Sequence, residues 1–273
     1  RPAAAAAEAV AAAAAAPRRA PGAPVLSVDR LVVRSDRGHV AVQDVALHVG
    51  AGEIVGVAGV AGNGQRELAD AIAGLRPAGG GRVEIGGADV TRASVRARVS
   101  RGLGYVPEDR LTRGVAAGLP LDDNLIMRRY WRAGFRRGPF LSRRAVASWV
   151  AEQRERVEIR GVRDGVRVSI LSGGNVQRAI LARELADETR LLIACSPSRG
   201  LDVGVTASVR GMLRARSEQG LGVLLISEDL DELTELSDRI LVMYAGRIVG
   251  EVSGSDADPE RLGLLMTGSG GPS

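Results

Sequence analysis

The sequence contains no lysine, so all 37 residues counted as Lys+Arg are arginine. It has one cysteine, Cys195, which means that the chain cannot form an intramolecular disulfide, and we expect a reducing compartment. No apolar run approaches the length needed to span a bilayer, so any role at a membrane requires a partner that crosses it. These absences argue against a disulfide-stabilised secreted domain and against a chain that inserts into a membrane by itself.

The arginines give the chain a formal net charge of +5 and a sequence pI near 10.4. A basic balance is typical of nucleic-acid-binding proteins. However, alanine, arginine and glycine dominate the sequence, and the absence of lysine indicates a codon bias that places arginine on ordinary surfaces. We therefore expect no nucleic-acid partner. The 273 residues, 45% of them hydrophobic, suffice for one large domain with a substantial core.

The two ends of the chain differ in composition from its centre. Residues 1–24 are rich in alanine and proline and fit either a signal peptide or a linker from an upstream domain. Glu8 interrupts the apolar stretch, which favours the linker. We expect the folded domain over residues 25–252 and a tail over residues 253–273, ending in a disordered GSGGPS.

Between these ends, apolar strands alternate with amphipathic helices. Strands are expected in VLSVDRLVVRS, VAVQDVALHV, EIVGVAG, RVEIGG, LLIACSP, GLGVLLIS and RILVMYAGRIVGEV. After EIVGVAG the pattern becomes helical, with Leu68, Ile72 and Leu75 on one face. Residues 119–160 indicate a helical insertion, and 119–185 are assigned to a helical subdomain. The pattern predicts an α/β domain with a mostly parallel sheet, an antiparallel N-terminal flank and this subdomain.

The segment LSGGNVQRAILAREL, residues 171–185, predicts a Gly-Gly turn that opens a helix, with Ser172 as its N-cap. Apolar residues follow at helical spacing: Val176, Ile180, Leu181 and Leu185. The N–H groups of Gly173 and Gly174 at a helix N-terminus would form an anion site. A plain glycine turn is the simpler interpretation. LSGG-N-x-Q-R before a helix and an apolar strand nevertheless resembles the signature motif of ABC ATPases.

A second glycine turn, GVAGNGQR at residues 59–66, lies between a buried strand and a helix, where a P-loop belongs. A working P-loop supplies backbone N–H groups, a lysine for the phosphates and a hydroxyl for Mg²⁺. The glycines are present, but Gln65 stands at the lysine position and Arg66 at the hydroxyl position. The order of the motifs along the chain favours a P-loop relative over a turn without a ligand.

The run LLIACSPSRGLD, residues 191–202, resembles the Walker B strand and D-loop of the same family. Cys195 stands in place of the Mg²⁺-associated Asp and Ser196 in place of the Glu that activates water, while Asp202 is retained. A metal or nucleophile role for Cys195 lacks a supporting His or Cys pattern, so a small buried strand residue is favoured. Glu108 in YVPEDR replaces the Gln that meets Mg²⁺, and Glu228 in VLLISEDLDEL replaces the switch histidine.

Together with the PEDR…RG loop and the RGLDVG run, these motifs resemble the second nucleotide-binding half of the tandem ATPases that drive bacterial simple-sugar and nucleoside importers. The resemblance implies an ATP sandwiched between one half's P-loop and the other half's signature turn. No residue is assigned to a metal here. The resemblance implies that Mg²⁺ binds at the partner's site and that its binding at this site is weak or absent. The implied ATP-binding residues are Gly59, Gly62, Asn63, Gly64, Gln65, Arg66, Ser172, Gly173, Gly174, Asn175 and Asp202.

The resemblance also implies partners: a first nucleotide-binding domain, in a longer chain or a separate subunit, integral membrane permease subunits, and indirectly an extracytoplasmic solute-binding protein. The expected location is the cytoplasmic face of the inner or plasma membrane. Because five positions of one chemical site differ together (65, 66, 195, 196 and 228), we expect this half alone not to hydrolyse ATP.

Two alternatives stay open. One is a soluble ABC protein that binds nucleic acid through the basic run of residues 128–144, and the other is a nucleotide-free adaptor that positions membrane subunits. Within that run, MRRYWRAGFRRGPF fits either a docking face or a solvated helix surface.

Overall fold

The computed structural model describes residues 21–159, 161–163 and 165–268. Most of the predicted N-terminal linker, residues 1–20, lies outside this range, as do residues 269–273 of the predicted tail. Arg160, where the predicted helical insertion ends, is also outside it. No helix in the described part of the chain has both the length and the apolar composition needed to cross a bilayer.

Strands and helices alternate along the described residues. The strands are β1 (Pro24–Arg34), β2 (Val40–Gly50), β3 (Ile54–Ala58), β4 (Gly80–Ile85), β5 (Ala88–Asp89), β6 (Leu103–Val106), β7 (Arg136–Arg137), β8 (Phe140–Leu141), β9 (Leu191–Cys195), β10 (Gly222–Ser227), β11 (Arg239–Tyr244) and β12 (Arg247–Ser253). The α-helices are α1 (Gln65–Ala73), α2 (Val95–Ser100), α3 (Leu121–Ile126), α4 (Arg143–Arg156), α5 (Gly173–Glu184), α6 (Val203–Glu218), α7 (Leu230–Leu236) and α8 (Pro259–Met266).

The larger sheet has the order β12-β11-β3-β10-β9-β6, and all its pairs are parallel except β11 with β12. A second, four-stranded antiparallel sheet has the order β2-β1-β4-β5. The predicted fold class, a mostly parallel α/β sheet with an antiparallel N-terminal flank, is confirmed.

Most positions of the parallel strands are apolar and buried, because the larger sheet is covered on both faces. Val55 and Val57 of β3 pack into one cluster with α1 and the antiparallel sheet, while Ile54 and Ala58 pack into the other with α5, α6 and α7. The carboxyl end of β3 is therefore packed on both faces, which fixes the position of the glycine turn that follows.

The predicted helical insertion contains α3 and α4, but its middle is a hairpin of β7 and β8 rather than continuous helix. Gly138 and Pro139 form the turn between these two short strands. The interpretation of this run as a solvated helix surface is therefore wrong, because it is largely a turn and a hairpin. Phe140 in the hairpin is 75% exposed.

Two further details differ from the expectations. Leu75 is 50% exposed, because Gly74, with φ of 79°, ends α1 before Leu75 can join the face of Leu68 and Ile72. The predicted tail contains helix α8, whose Leu262 and Met266 are buried against the core.

Candidate functional site

The glycine turn between β3 and α1 has a conformation that depends on two glycines. Gly62 and Gly64 have φ of 91° and 101°, and a Cβ on Gly64 would lie 2.1 Å from the carbonyl oxygen of Ala41. Asn63 anchors the turn, since its Oδ1 accepts a hydrogen bond from the Ala245 N–H at 3.0 Å. The turn thus presents its backbone N–H groups at the start of α1, an arrangement that favours anions.

The side chain at the expected lysine position does not extend away from the turn. Gln65 is 8% exposed, and its Nε2 donates to the carbonyl oxygen of Val60, 3.1 Å away, within the same turn. Arg66 beside it has a side chain that is 61% exposed, and its Nε lies 3.9 Å from Oδ2 of Asp70. The cation at this turn is therefore the Arg66 guanidinium.

Asp70, Tyr105 and Arg113 form a polar cluster at the base of the site that the sequence reasoning missed. The Tyr105 hydroxyl donates to Asp70 Oδ1 at 3.0 Å, and Arg113 Nη2 donates to both Asp70 oxygens at 2.9 and 3.0 Å. A signal was available: Asp70 lies between Leu68 and Ile72 on the buried face of α1, where a carboxylate needs partners. The cluster ties α1 to β6 and to the loop after it.

The end of β9 places Cys195 and Ser196 beside this cluster. Burial, together with the nearby Asp70 carboxylate, raises the pKa of the Cys195 thiol to about 12, so the group is neutral at physiological pH. Ser196 has φ of 42°, and its N–H donates to the carbonyl oxygen of Ile226 at 2.7 Å. Neither side chain offers the carboxylate that this strand end carries in the resembled motif.

The two glutamates differ in their surroundings. Glu108, in the loop after β6, forms an ion pair with Arg199. Glu228, directly after β10, is exposed. Asp202 caps α6 by accepting a hydrogen bond from the Val205 N–H at 2.9 Å, so in this structure it acts as a helix cap.

A cavity of about 700 Å³ opens at the carboxyl edge of the larger sheet. It brings together eight of the residues singled out from the sequence: Gly62, Gly64, Gln65, Arg66, Glu108, Cys195, Ser196 and Glu228. The polar cluster contributes Tyr105 and Arg113 to its wall. Gly59 and Asn63 belong to the same turn but are not among the lining residues, and neither are Asp202 or the Ser-Gly-Gly turn.

Two positions that hold Mg²⁺ in the resembled motifs, Arg66 and Cys195, do not fit a magnesium ion. Mg²⁺ binds hydroxyl, carboxylate and water oxygens in a near-octahedral arrangement. Here the positions that would supply them carry the Arg66 guanidinium and the neutral Cys195 thiol. Throughout the described ranges, no group of three or more His, Cys, Asp or Glu residues could hold a metal ion.

The Ser-Gly-Gly turn lies at the N-terminus of α5, as the sequence predicts. Ser172 Oγ accepts from the Asn175 N–H at 3.3 Å, which identifies Ser172 as the N-cap. Ser172 and Gly173 are exposed, whereas Gly174 and Asn175 are half-buried. A Cβ on Gly174 would lie 3.1 Å from a methyl group of Val205, so a glycine allows α6 to approach.

The helix behind this turn is anchored in the core. Val176, Ile180 and Leu181 are at most 1% exposed. Gln177 is fully buried, and its Nε2 donates to the carbonyl oxygen of Pro197 at 2.7 Å, which connects α5 to the end of β9. The turn is therefore an exposed corner on a rigid support.

The basic run of residues 128–144 is not a uniform cationic surface. Arg128 forms an ion pair with buried Glu184, and Arg129 Nε donates to Glu188 at 2.7 Å. The side chains of these two arginines are only 18% and 6% exposed. These two arginines are engaged inside the protein rather than available to phosphates, whereas Arg136, Arg137, Arg143 and Arg144 of the same run are exposed.

The chain is similar to known proteins over most of its length. Residues 42–199 match the family model described as ABC transporter. The chain is 44% identical over 255 residues to the glucose import ATP-binding protein TsgD13 of Haloferax volcanii, covering 93% of this chain and 46% of that protein. It is 37% identical over 249 residues to the guanosine import ATP-binding protein NupO of Bacillus subtilis, covering 91% and 49%. The chain thus spans about half the length of these curated relatives.

The nucleoside import ATP-binding protein NupA of Lactococcus lactis is 38% identical over 244 residues, covering 89% of this chain and 48% of that protein. Among solved structures, the post-hydrolysis dimer of the ATP-binding cassette MJ0796 bound to ADP and Pi is similar with a TM-score of 0.71. It is 20% identical and covers 84% of this chain and 98% of that chain, a likeness that concerns the fold alone.

Proposed function

This chain belongs to the ABC transporter family, and from that premise we propose that it is one ATP-binding half of an importer for simple sugars or nucleosides. In this proposal it is the second half, whose signature turn completes the ATP site of a partner half. Its own cavity takes part in nucleotide binding but not in hydrolysis.

The choice of solute class draws on the relatives, whose names specify import of glucose, guanosine, nucleosides and ribose. Their length supports the idea of two halves, because this chain corresponds to 46–49% of the first three. A partner half, in the same longer chain or as a separate subunit, would then supply the intact P-loop.

The observation that carries the proposal is the contrast between the two features of the site. In the signature turn, formed by Ser172, Gly173 and Gly174, the first two residues are exposed and Ser172 caps a helix whose inner face is buried. An exposed turn on a buried helix is what we expect of a surface that contacts a partner. In the cavity, the Gln65 side chain donates a hydrogen bond to its own turn, and the Cys195 thiol is neutral. Together with the Ser196 hydroxyl, these groups stand at the positions where the resembled motifs carry a lysine and two carboxylates.

The signature turn would act through its dipole and hydrogen-bond donors. Backbone N–H groups of Gly173 and Gly174 and the hydroxyl of Ser172 would donate to the γ-phosphate held by the partner's P-loop, where negative charge accumulates during phosphoryl transfer. Loss of one such donor typically lowers the rate by about 10²–10³-fold. ATP-driven closure of the two halves would then move permease subunits.

We propose that these permease subunits contact the helical subdomain. The whole complex would lie at the cytoplasmic face of the membrane, and an extracytoplasmic binding protein would deliver the solute. The exposed Phe140 and Leu141 of the β7–β8 hairpin lie in this subdomain and offer apolar surface for such a contact. Exposed apolar side chains that are grouped together often mark interaction sites.

The test compares Mg-ATP hydrolysis by the isolated chain with that of the assembled transporter. We expect no turnover above buffer for the isolated chain and clear turnover for the assembly. Turnover by the pure chain would contradict the proposed loss of hydrolysis. If a fluorescent ATP analogue failed to bind the chain, the nucleotide-free adaptor would become the better account.

A further inference from the structure

We infer that the cavity binds a nucleoside triphosphate without Mg²⁺, with the Arg66 guanidinium providing the charge that the metal supplies elsewhere. This inference rests on the proposed function, because it assumes that the cavity is a nucleotide site. It goes further by naming the form of the ligand, the metal-free nucleotide, and the residue that selects it.

Arg66 has hydrogen-bond donors to spare. Its nearest carboxylate, Asp70, lies 3.9 Å away and already accepts bonds from Arg113 and Tyr105 at 2.9–3.0 Å. The Arg66 side chain is 61% exposed and lines the cavity. A guanidinium presents several N–H groups in one plane, which suits two phosphate oxygens at once.

The guanidinium and the glycine turn converge on the same place. Gly62 and Gly64 line the cavity with positive φ, and Arg66 follows in the first turn of α1. Backbone N–H groups at a helix start and a nearby cation both favour an anion. They offer no ligand to a metal, in agreement with the neutral thiol of Cys195 across the cavity.

The acidic residues of the cavity sharpen the argument. Glu108 is paired with Arg199, and Asp109 accepts hydrogen bonds from the Leu111 and Thr112 N–H groups at 3.1 and 3.0 Å. Glu67 and Glu228 also line the cavity; Glu67 is half-buried and Glu228 is exposed. Free ATP carries more negative charge than Mg-ATP. It is therefore attracted more strongly to Arg66, and repelled more strongly by Glu228, than Mg-ATP is.

The experiment is a fluorescence titration of the full 273-residue chain with mant-ATP, once in excess Mg²⁺ and once in EDTA. We expect the Kd in EDTA to be equal to, or lower than, the Kd in Mg²⁺. Arg66→Ala should raise the Kd in EDTA about tenfold, the usual effect of losing a hydrogen bond between charged groups. Arg261→Ala on α8, which removes the same exposed charge away from the cavity, is the matched control and should leave it unchanged.

Two further variants give opposite signs. Arg66→Lys keeps the charge but not the planar fork, so its Kd should lie between those of the original chain and Arg66→Ala. Glu228→Gln removes a repelling carboxylate and should lower the Kd in EDTA. Thermal unfolding of each variant, followed by circular dichroism, separates loss of binding from loss of fold.

The outcomes distinguish the inference from the proposed function. Binding that is tighter in Mg²⁺ than in EDTA, or that occurs only with Mg²⁺, would overturn the inference and leave the proposed nucleotide site standing. An unchanged Kd for Arg66→Ala would overturn the role of Arg66. Absence of binding under both conditions would overturn the inference and the nucleotide-binding part of the proposed function together.

Discussion

Glu184 is the residue whose removal we expect to cost most, since its buried carboxylate joins the signature helix to the strand that lines the cavity. It is 1% exposed; its Oε1 accepts from Arg183 Nε at 2.7 Å, and its Oε2 accepts from the Tyr105 N–H at 3.0 Å. The same carboxylate forms an ion pair with Arg128. Glu184→Ala would leave two mostly buried guanidinium groups without this charge.

Breaking one partner of a buried ion pair typically costs 3–5 kcal/mol, and we expect Glu184→Ala to lower the free energy of unfolding by about 4 kcal/mol. The matched control is Glu152→Ala on α4, whose side chain is 63% exposed and pairs with Arg156, which is itself 41% exposed. Partly exposed pairs contribute about 1 kcal/mol or less. Glu184→Gln keeps the shape and one acceptor oxygen and should fall between the two.

The assay is urea unfolding followed by circular dichroism, with the two-state free energy taken from the midpoint and slope. A result in which Glu184→Ala and Glu152→Ala were equally destabilising would refute the reasoning, because burial would then not govern the cost. A Glu184→Gln variant as unstable as Glu184→Ala would show that the charge, rather than the hydrogen bonds, dominates.

Three further changes test other parts of the structure. Arg98 is 2% exposed and donates to four main-chain carbonyls, two of them at the end of α1, so Arg98→Ala should destabilise the chain by about 3 kcal/mol in the same urea assay, against an exposed Arg101→Ala control. Gly64→Ala introduces both a clash and strained backbone and should cost clearly more than Gly38→Ala, which has positive φ but open space around it; equal costs would remove the clash from the explanation. The raised pKa of Cys195 keeps its thiol protonated at pH 8.5, so alkylation by iodoacetamide should be much slower than for an exposed cysteine. Alkylation should become fast in urea, whereas rapid labelling of the folded chain would contradict the burial of Cys195.

Local patterns predicted the regular elements well, because each pattern reflects burial within one segment. The strands β3 and β9 are uninterrupted apolar runs, and both are buried at every position. Ser172 followed by Val176 and Ile180 predicted both the start and the inner face of α5. The same reasoning predicted a glycine turn between a buried strand and a helix, and the structure has this turn at the carboxyl edge of the larger sheet, where Gly62 and Gly64 line the cavity.

The polar cluster could not be predicted in the same way. Tyr105 and Arg113 reach Asp70 across 35 and 43 residues, and no local pattern pairs side chains so far apart. Their meeting depends on β6 lying at one end of the sheet and α1 on its face, which is a property of the whole topology. Gln65 is similar, because its fold back onto Val60 follows from the shape of the turn.

Some differences did have a local signal. Asp258 caps α8 and Pro259 occupies its first turn, a common start of a helix, with Leu262 and Met266 four residues apart on the buried side. Gly74 marks the end of α1, which explains the exposure of Leu75. Reading these residues as helix boundaries would have corrected both expectations.

The central claim, that the signature turn serves a partner's nucleotide, is tested most directly by steady-state Mg-ATP hydrolysis in the assembled transporter carrying Ser172→Ala. Ser94→Ala is the control, because it removes an equivalent N-cap hydroxyl, from α2, outside the helical subdomain. The account predicts that Ser172→Ala lowers turnover by about 10²–10³-fold while Ser94→Ala leaves it nearly unchanged. Unchanged turnover with Ser172→Ala would contradict the account.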